Sequence, residues 1–521
     1  MRDLPCPSSL HASSPPFSLS KEGALGVDSD HGGVAAVVIQ TGQGVASVLA
    51  LALVLRVLLP VLAWVYTGDP KTFLTNDTPT YLKPAESLLR TGRFQYGFVG
   101  RHTRPDEPEI VRTPGYPVFL LPGLAAGHVL PVTITLQVLA SCLTVYLVYR
   151  ITLLLFERRR LAVCCALLYA FEPLSILYAG LLVSETLFTT MTMLFLYFLV
   201  KYLRTGSTWA LLGAAIALAA SIYVRPIGYF LPPILACGLV VWGLATRRFR
   251  PGRLLAHVAL FLIVSMGLTG LWQLRNWREA GYPGFSAISD INMYYYLGAS
   301  VLAAREGVPF NDMQTRMGFF KEERRHGGKV GAGVDDDLYI QLHPEQRDWT
   351  RAEKYRYIGR EGRRIVLEHP VLYARIHLDG IVRMLIDPTA TEYLQYFHLY
   401  PRNGGLLGEL VTKGLVRTVL SLARERPLVF WSNLVLAPLL GFYLLFSVVA
   451  LFSRRFITDP AVLAALGVAA YFLLIAGGPG AVARYRHPAM PILCIFAGYG
   501  LFFAIGKWRA RGSRRSSGMA S

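Results

Sequence analysis

The sequence predicts an all-α polytopic membrane protein, and three observations carry that prediction. Of its 521 residues, 53% are hydrophobic and only 16% charged, with a mean hydropathy of +0.41. Soluble domains carry roughly a quarter of charged residues. The apolar residues also come in runs close to the roughly 20 that a crossing helix needs. These runs lie at 44–66, 132–155, 161–180, 185–203, 208–223, 228–245, 254–274, 428–452, 461–478 and 488–506, which sets the expectation at about 10–12 spans. Finally, the basic residues cluster between runs rather than within them.

The same composition excludes a disordered chain, a collagen-like fibre and a disulfide scaffold. Six cysteines are present, five of them in apolar runs and none in a CxxC spacing, so neither a metal site nor a disulfide framework is indicated. The net charge of +19 invites a nucleic-acid reading, but topology accounts for it. Basic clusters at 158–160, 201/204, 247–253, 454–455 and 507–515 are separated by even numbers of runs. All five therefore fall on one side, which the positive-inside rule makes cytoplasmic. No nucleic-acid partner is expected.

Carried along the chain, this assignment gives a cytoplasmic, disordered tail over 1–43 without the basic n-region of a cleaved signal. Seven spans follow over 44–274, with an outer loop at 67–131. Residues 275–427 form an extracytoplasmic domain, 428–506 the C-terminal spans, and 507–521 a basic cytoplasmic tail. Within the outer loop, 116–130 is apolar but broken by Pro117 and Pro122, and reads as a dip into the outer leaflet. The run 161–180 is interrupted by Glu172-Pro173.

Polar residues at outer span ends are the candidates for chemistry, because such groups are costly near a membrane and tend to be functional. In the first loop, Asp77 precedes Thr78-Pro79-Thr80-Tyr81. Pro79 suits the first turn of a helix, Tyr81, Ala85, Leu88 and Leu89 form one apolar stripe, and Gly92 ends it. Asp77 is then either a helix-start acid or a general base. The run Arg112-Thr113-Pro114-Gly115-Tyr116-Pro117 is sufficient as a turn with an interfacial tyrosine. Glu185 opens a span behind Ser184, which suits an N-cap. Arg225, Arg275-Asn276-Trp277 and Arg484-Tyr485-Arg486-His487 put arginines at outer span ends, where topology does not ask for them. An anionic ligand explains them, since guanidinium matches phosphate.

In their order and sidedness these motifs resemble the C-superfamily glycosyltransferases, polytopic enzymes that use polyprenyl-phosphate-linked sugars. The branch is the protein O-mannosyltransferase-like and aminoarabinose transferase-like one. The matches are D-x-x-x-Y (Asp77, Tyr81), R-T-P-G-Y-P (Arg112 to Pro117), S-E-T-L-F (Ser184 to Phe188), R-P-x-G (Arg225 to Gly228), R-N-W-x-x-x-G (Arg275 to Gly281) and R-Y-R-x-P (Arg484 to Pro488). The resemblance implies a seven-span module with a catalytic acid in its first outer loop. That makes Asp77 the first catalytic candidate and Glu185 the second. It implies donor-phosphate binding by Arg225, Arg275, Arg484 and Arg486, and donor or acceptor positioning by Tyr81, Arg112, Tyr116, Asn276, Tyr485 and His487. The family often has a second acid beside the first; Thr78 stands there instead. A divalent metal ion is the one cofactor the resemblance admits.

The expected reaction is transfer of a hexosyl or pentosyl group from a polyprenyl-phosphate donor to an acceptor hydroxyl with inversion. The acceptor is a protein, lipid or polysaccharide, and the site faces outward from a bacterial plasma membrane. No Walker or GxGxxG signal for a nucleotide sugar occurs in a suitable context. The alternative is a transporter or lipid flippase, which broken helices would favour, but the halves show no internal repeat.

Overall fold

Each of the ten apolar runs is helical in the computed structural model, which describes residues 44–95, 107–322, 331–334, 336–400 and 421–518. The tail assigned to 1–43 lies outside the described residues, as do parts of both long loops. The chain begins with α1 (Gly44–Thr67), α2 (Thr78–Thr91), α3 (Gly115–Ala125) and α4 (Val129–Phe156). Next come α5 (Arg159–Ala170), α6 (Pro173–Ala179), α7 (Glu185–Thr205), α8 (Thr208–Val224), α9 (Leu231–Thr246) and α10 (Pro251–Ala280).

The polar region then holds α11 (Ile288–Asn292), a π-helical turn at Met293–Gly298, α12 (Ala299–Glu306) and α13 (Phe310–Arg316). Strands β1 (Phe319–Glu322) and β2 (Gly331–Val334) pair antiparallel, with Phe319 opposite Val334. After them come α14 (Asp336–Leu342), α15 (Arg351–Glu368), α16 (Pro370–Ile386) and α17 (Ala390–Tyr396). The chain closes with α18 (Pro427–Leu451), α19 (Arg454–Thr458), α20 (Pro460–Ile475) and α21 (Met490–Gly518).

Among the described residues, seven helical stretches are long and apolar enough to cross a membrane. The pair α5–α6, bent by 57° between its halves, makes eight if counted as one span. Of the remaining runs, α8 and α20 are helices of 17 and 16 residues. The bend has a local cause. Glu172, ahead of Pro173, turns its carboxylate onto the amides of Leu174 and Ser175 and caps α6. Arg56, fully buried in α1, braces the same break. It donates to the carbonyls of Tyr169 and Ala170 and to the hydroxyls of Ser141 and Ser175.

Small residues set the packing of the helices, as in many membrane bundles. In α8, Ala210, Ala214, Ala215, Ala217 and Ala219 are all buried. Gly115 is required at the start of α3, because a Cβ there would lie 2.6 Å from the carbonyl oxygen of Tyr223. This close approach, with the Thr113 hydroxyl on the Val224 carbonyl, seats the segment after Arg112 against the end of α8, just before Arg225.

Helix α7 carries Glu185 at its first turn and Arg204 at its last, about 30 Å apart at 1.5 Å per residue. Arg204 pairs with Asp459 at 2.7 Å and donates to the carbonyls of Leu154 and Leu155. Arg455 reaches Leu155 as well, and Arg248 the carbonyl of Arg204. Basic residues from three of the predicted clusters thus gather at the end of the bundle opposite Glu185.

At the other end, the two polar segments pack on each other. Ile110 and Val111 from the first loop join a second apolar core with Tyr282, Ile291, Tyr295, Tyr355 and Ile358. The Ala287 amide and the Ser286 hydroxyl donate to the Ile110 and Val111 carbonyls.

Candidate active site

Asp77 occupies the N-cap position of α2, yet its side chain makes no capping hydrogen bond. Its carboxylate is taken by two arginines instead. Arg112 Nη2 lies 3.0 Å from Oδ1, and Arg484 Nη1 2.9 Å from Oδ2. Ser184 likewise sits at the N-cap of α7 without a capping bond, its hydroxyl 3.1 Å from that of Tyr81. Local capping chemistry therefore accounts for neither side chain.

Glu185 pairs with Arg225 at 2.5 Å, and Arg484 Nε lies 3.8 Å from the same oxygen. The rings of Tyr81 and Tyr485 carry the guanidinium groups: Arg112 lies 4.7 Å above Tyr81, Arg484 5.1 Å and Arg225 5.9 Å from Tyr485. Seven of the predicted residues thus form one cluster drawn from five parts of the chain. Three guanidinium groups face two carboxylates, so the cluster carries one net positive charge, which suits an anion. Exposure separates the two acids: the Asp77 side chain is 29% exposed and that of Glu185 only 4%.

Burial alone would raise the pKa of Asp77, but the charges of Arg484 and Arg112 outweigh it and hold the carboxyl well below the usual range. Asp77 is therefore ionised at neutral pH and poor as a base while both arginines stay on it.

The other predicted residues make their contacts outside this group of charges. Arg275 donates to the carbonyls of Glu109 and Phe94, pairs with Glu279 and lies over Trp272. Asn276 donates its amide to the carbonyls of Gly284 and Phe285. Both tie the end of α10 to the loops rather than entering the cluster. Arg486 is buried on the Met384 carbonyl. His487 meets the Thr189 hydroxyl at 2.6 Å, and Tyr116 donates to Gln137 at 2.7 Å while packing edge-on against Tyr81.

The structure adds Glu392, which no sequence pattern singled out. Tyr178 donates to its Oε2 at 2.9 Å, and the Tyr178 ring packs edge-on against His487. Burial, with Asp387 nearby, pushes Glu392 up to about 7. Among the described residues, no three His, Cys, Asp or Glu side chains converge as metal ligands. Both Asp77 oxygens face guanidinium groups, so the residues at this position do not fit a metal ion.

Residues 124–271 match the family described as dolichyl-phosphate-mannose-protein mannosyltransferase. That match supports a C-superfamily membrane glycosyltransferase, in agreement with the motifs. The matched segment holds Glu185 and Arg225 and ends short of Arg275. No curated protein matches the chain.

Among solved structures, the apo oligosaccharyltransferase of Archaeoglobus fulgidus is similar at 14% identity and a TM-score of 0.47, over 92% of this chain and 52% of that one. The same organism's AglB in complex with an inhibitory peptide and a dolichol-phosphate gives 14%, 0.46, 91% and 52%. ArnT from Cupriavidus metallidurans bound to undecaprenyl phosphate gives 14%, 0.41, 86% and 59%. The chain spans about half the length of the archaeal structures it matches.

Proposed function

We propose that the protein transfers a sugar from a polyprenyl-phosphate-linked donor to an acceptor hydroxyl at the outer membrane face, with inversion at the anomeric carbon. The observation that carries this reading is the Asp77 carboxylate, free of helix capping and held between Arg112 and Arg484. The mannosyltransferase match over 124–271 supports the reaction class.

The steps follow from the charges. The donor phosphate enters a cluster of three guanidinium groups and draws Arg484 and Arg112 toward itself, Arg225 already being neutralised by Glu185. Asp77 loses the positive charge that depresses its basicity and accepts the proton of the acceptor hydroxyl. The acceptor oxygen bonds to the anomeric carbon from the opposite face as the bond to the phosphate oxygen breaks. The departing phosphate keeps the electron pair, and the arginines stabilise its charge.

The test is reconstitution in liposomes with a radiolabelled polyprenyl-phosphate sugar. Transfer of label to acceptor on the donor's own side, with release of the polyprenyl phosphate, is expected. Movement of intact donor between leaflets without consumption would replace the reading with a flippase. Sidedness has its own check. An impermeant thiol reagent outside the cell should label cysteines introduced at 100 and 330 but not at 157 or 250.

A further inference from the structure

Away from the Asp77 cluster, an open cavity of about 580 Å³ lies between the chain just after α10 and one face of α15. Its size falls within the range of about 300–1,000 Å³ usual for small-molecule sites. Arg356, Arg360 and Arg363 reach it from positions i, i+4 and i+7 of α15, which share one face of a helix. Arg363 is 3.6 Å from Asp290. Arg356 and Arg360 have no carboxylate within ion-pairing distance among the described residues; Glu353, which also lines the cavity, turns its carboxylate onto the Thr350 amide and hydroxyl.

The remaining lining decides what such a site would take. Asp290 comes from α11 and fits against α15 only because residue 359 is glycine; a Cβ there would collide with its carboxylate. The Tyr282 hydroxyl donates to Asp290 at 2.7 Å and fixes its orientation. A carboxylate repels a bare phosphate but accepts hydrogen bonds from hydroxyl groups. Trp349 and Tyr282 add flat apolar faces. Unpaired guanidinium groups, an oriented carboxylate and aromatic faces together match a ring that bears both hydroxyls and acid groups.

From this lining we infer that the cavity binds an anionic saccharide, and, resting on the transferase reading, that it docks an acid-bearing glycan acceptor. Arg356 and Arg360 take the acid groups, Asp290 the hydroxyls, and Trp349 a sugar face. A relay of hydrogen bonds links the cavity rim to the segment that carries Arg112. Gly284 at its rim accepts from Asn276, whose side-chain oxygen accepts from Arg275 at 3.1 Å. Arg275 holds the Glu109 carbonyl, and the Glu109 carboxylate accepts from the Arg112 amide at 2.7 Å.

The test is binding of trigalacturonate to the detergent-purified full chain, beside maltotriose, inorganic phosphate and phosphatidylglycerol nanodiscs. The expected result is trigalacturonate binding that weakens with salt, with no competition from the other three probes. Arg356→Gln and Arg360→Gln, both at exposed positions, should each weaken it by about tenfold or more, and Trp349→Ala should quench the fluorescence response. Equal binding of maltotriose, displacement by phosphate or by phosphatidylglycerol, or unchanged affinity in the double Arg variant would overturn the proposal. Asp77→Asn protein should still bind trigalacturonate, so a failure of the docking site and a failure of the transferase reading give different results.

Discussion

Arg484 and Asp77 are 407 positions apart in the chain and meet at 2.9 Å. The pair joins the turn before the last span to the first loop and closes the site from both ends of the sequence. A second arginine, Arg112, holds the other carboxylate oxygen. In the resting protein Asp77 is thus the ionised centre of a clamp whose other members are positive.

Asp77→Asn separates a base from a structural acid by magnitude. Loss of a cap costs about 0.5–2 kcal/mol, and no cap bond exists here to lose. Loss of general base catalysis costs about 10²–10⁴-fold in rate. The variant should insert, with a melting temperature lowered by the loss of its ion pairs to Arg112 and Arg484, and should transfer sugar at least about a hundredfold more slowly at temperatures where it is folded. Near-normal transfer would move the role to Glu185.

The arginines divide into two groups. Arg484→Ala and Arg112→Ala should raise the donor KM sharply, and lysine at each position should recover only part, because the two-pronged contact is lost. Arg275→Ala should instead lower the melting temperature, since it frees the carbonyls of Phe94 and Glu109. A donor KM raised as much by Arg275→Ala as by Arg484→Ala would contradict this division.

Arg56→Met should be among the most destabilising changes in the bundle. It leaves the Ala170 carbonyl, exposed by the break in α5–α6, without its donor, and leaves the Tyr169 carbonyl to the Glu172 amide and the Ser175 hydroxyl. Unsatisfied buried groups cost about 1–3 kcal/mol each. Thermal unfolding in detergent reads the loss directly, and little change would mean that other groups take over the carbonyls.

Glu392 should make stability depend on pH in an unusual direction for a carboxylate. Its folded pKa, about 7, lies above the unfolded value near 4.5. The folded state therefore binds more protons between those values, and its contribution to stability is present below about 4.5 and lost as pH rises through about 7. Melting curves across this window should fall toward neutrality in the parent protein and be flatter in Glu392→Gln.

Much of the fold is readable from the sequence because its determinants are local. Ten apolar runs become helices, Gly92 ends α2 in the left-handed conformation, and Glu172-Pro173 marks a bend. The polar residues of the cluster stand out for the same reason, as arginines and acids at span ends. Their partners do not. Nothing local distinguishes Arg484, which meets Asp77, from Arg275, which holds loop carbonyls, since that depends on contacts across hundreds of residues. Arg112 ranks above Arg275 only once Gly115 is seen against the backbone of Tyr223. Glu392 was hidden in a polar stretch without pattern. Arg56 did leave a signal, a lone charge inside an apolar run, which in membranes marks a paired or functional group.

Helices α8 and α20 are short, at 17 and 16 residues, or about 25 Å at 1.5 Å per residue. The hydrocarbon core of a bilayer is about 30 Å thick. They are linked where the Tyr471 hydroxyl of α20 meets the Ile227 carbonyl just beyond α8, and both expose apolar side chains, Ile216 and Leu474 among them. Thinning of the lipid at this corner is one of the ways a bilayer matches short spans. Arg225 follows α8 directly and Arg484 lies shortly after α20, so thinning there would draw the headgroup plane down toward these arginines. A carrier lipid moving along the leaflet would then reach the guanidinium groups with its phosphate at their level and its tail still immersed.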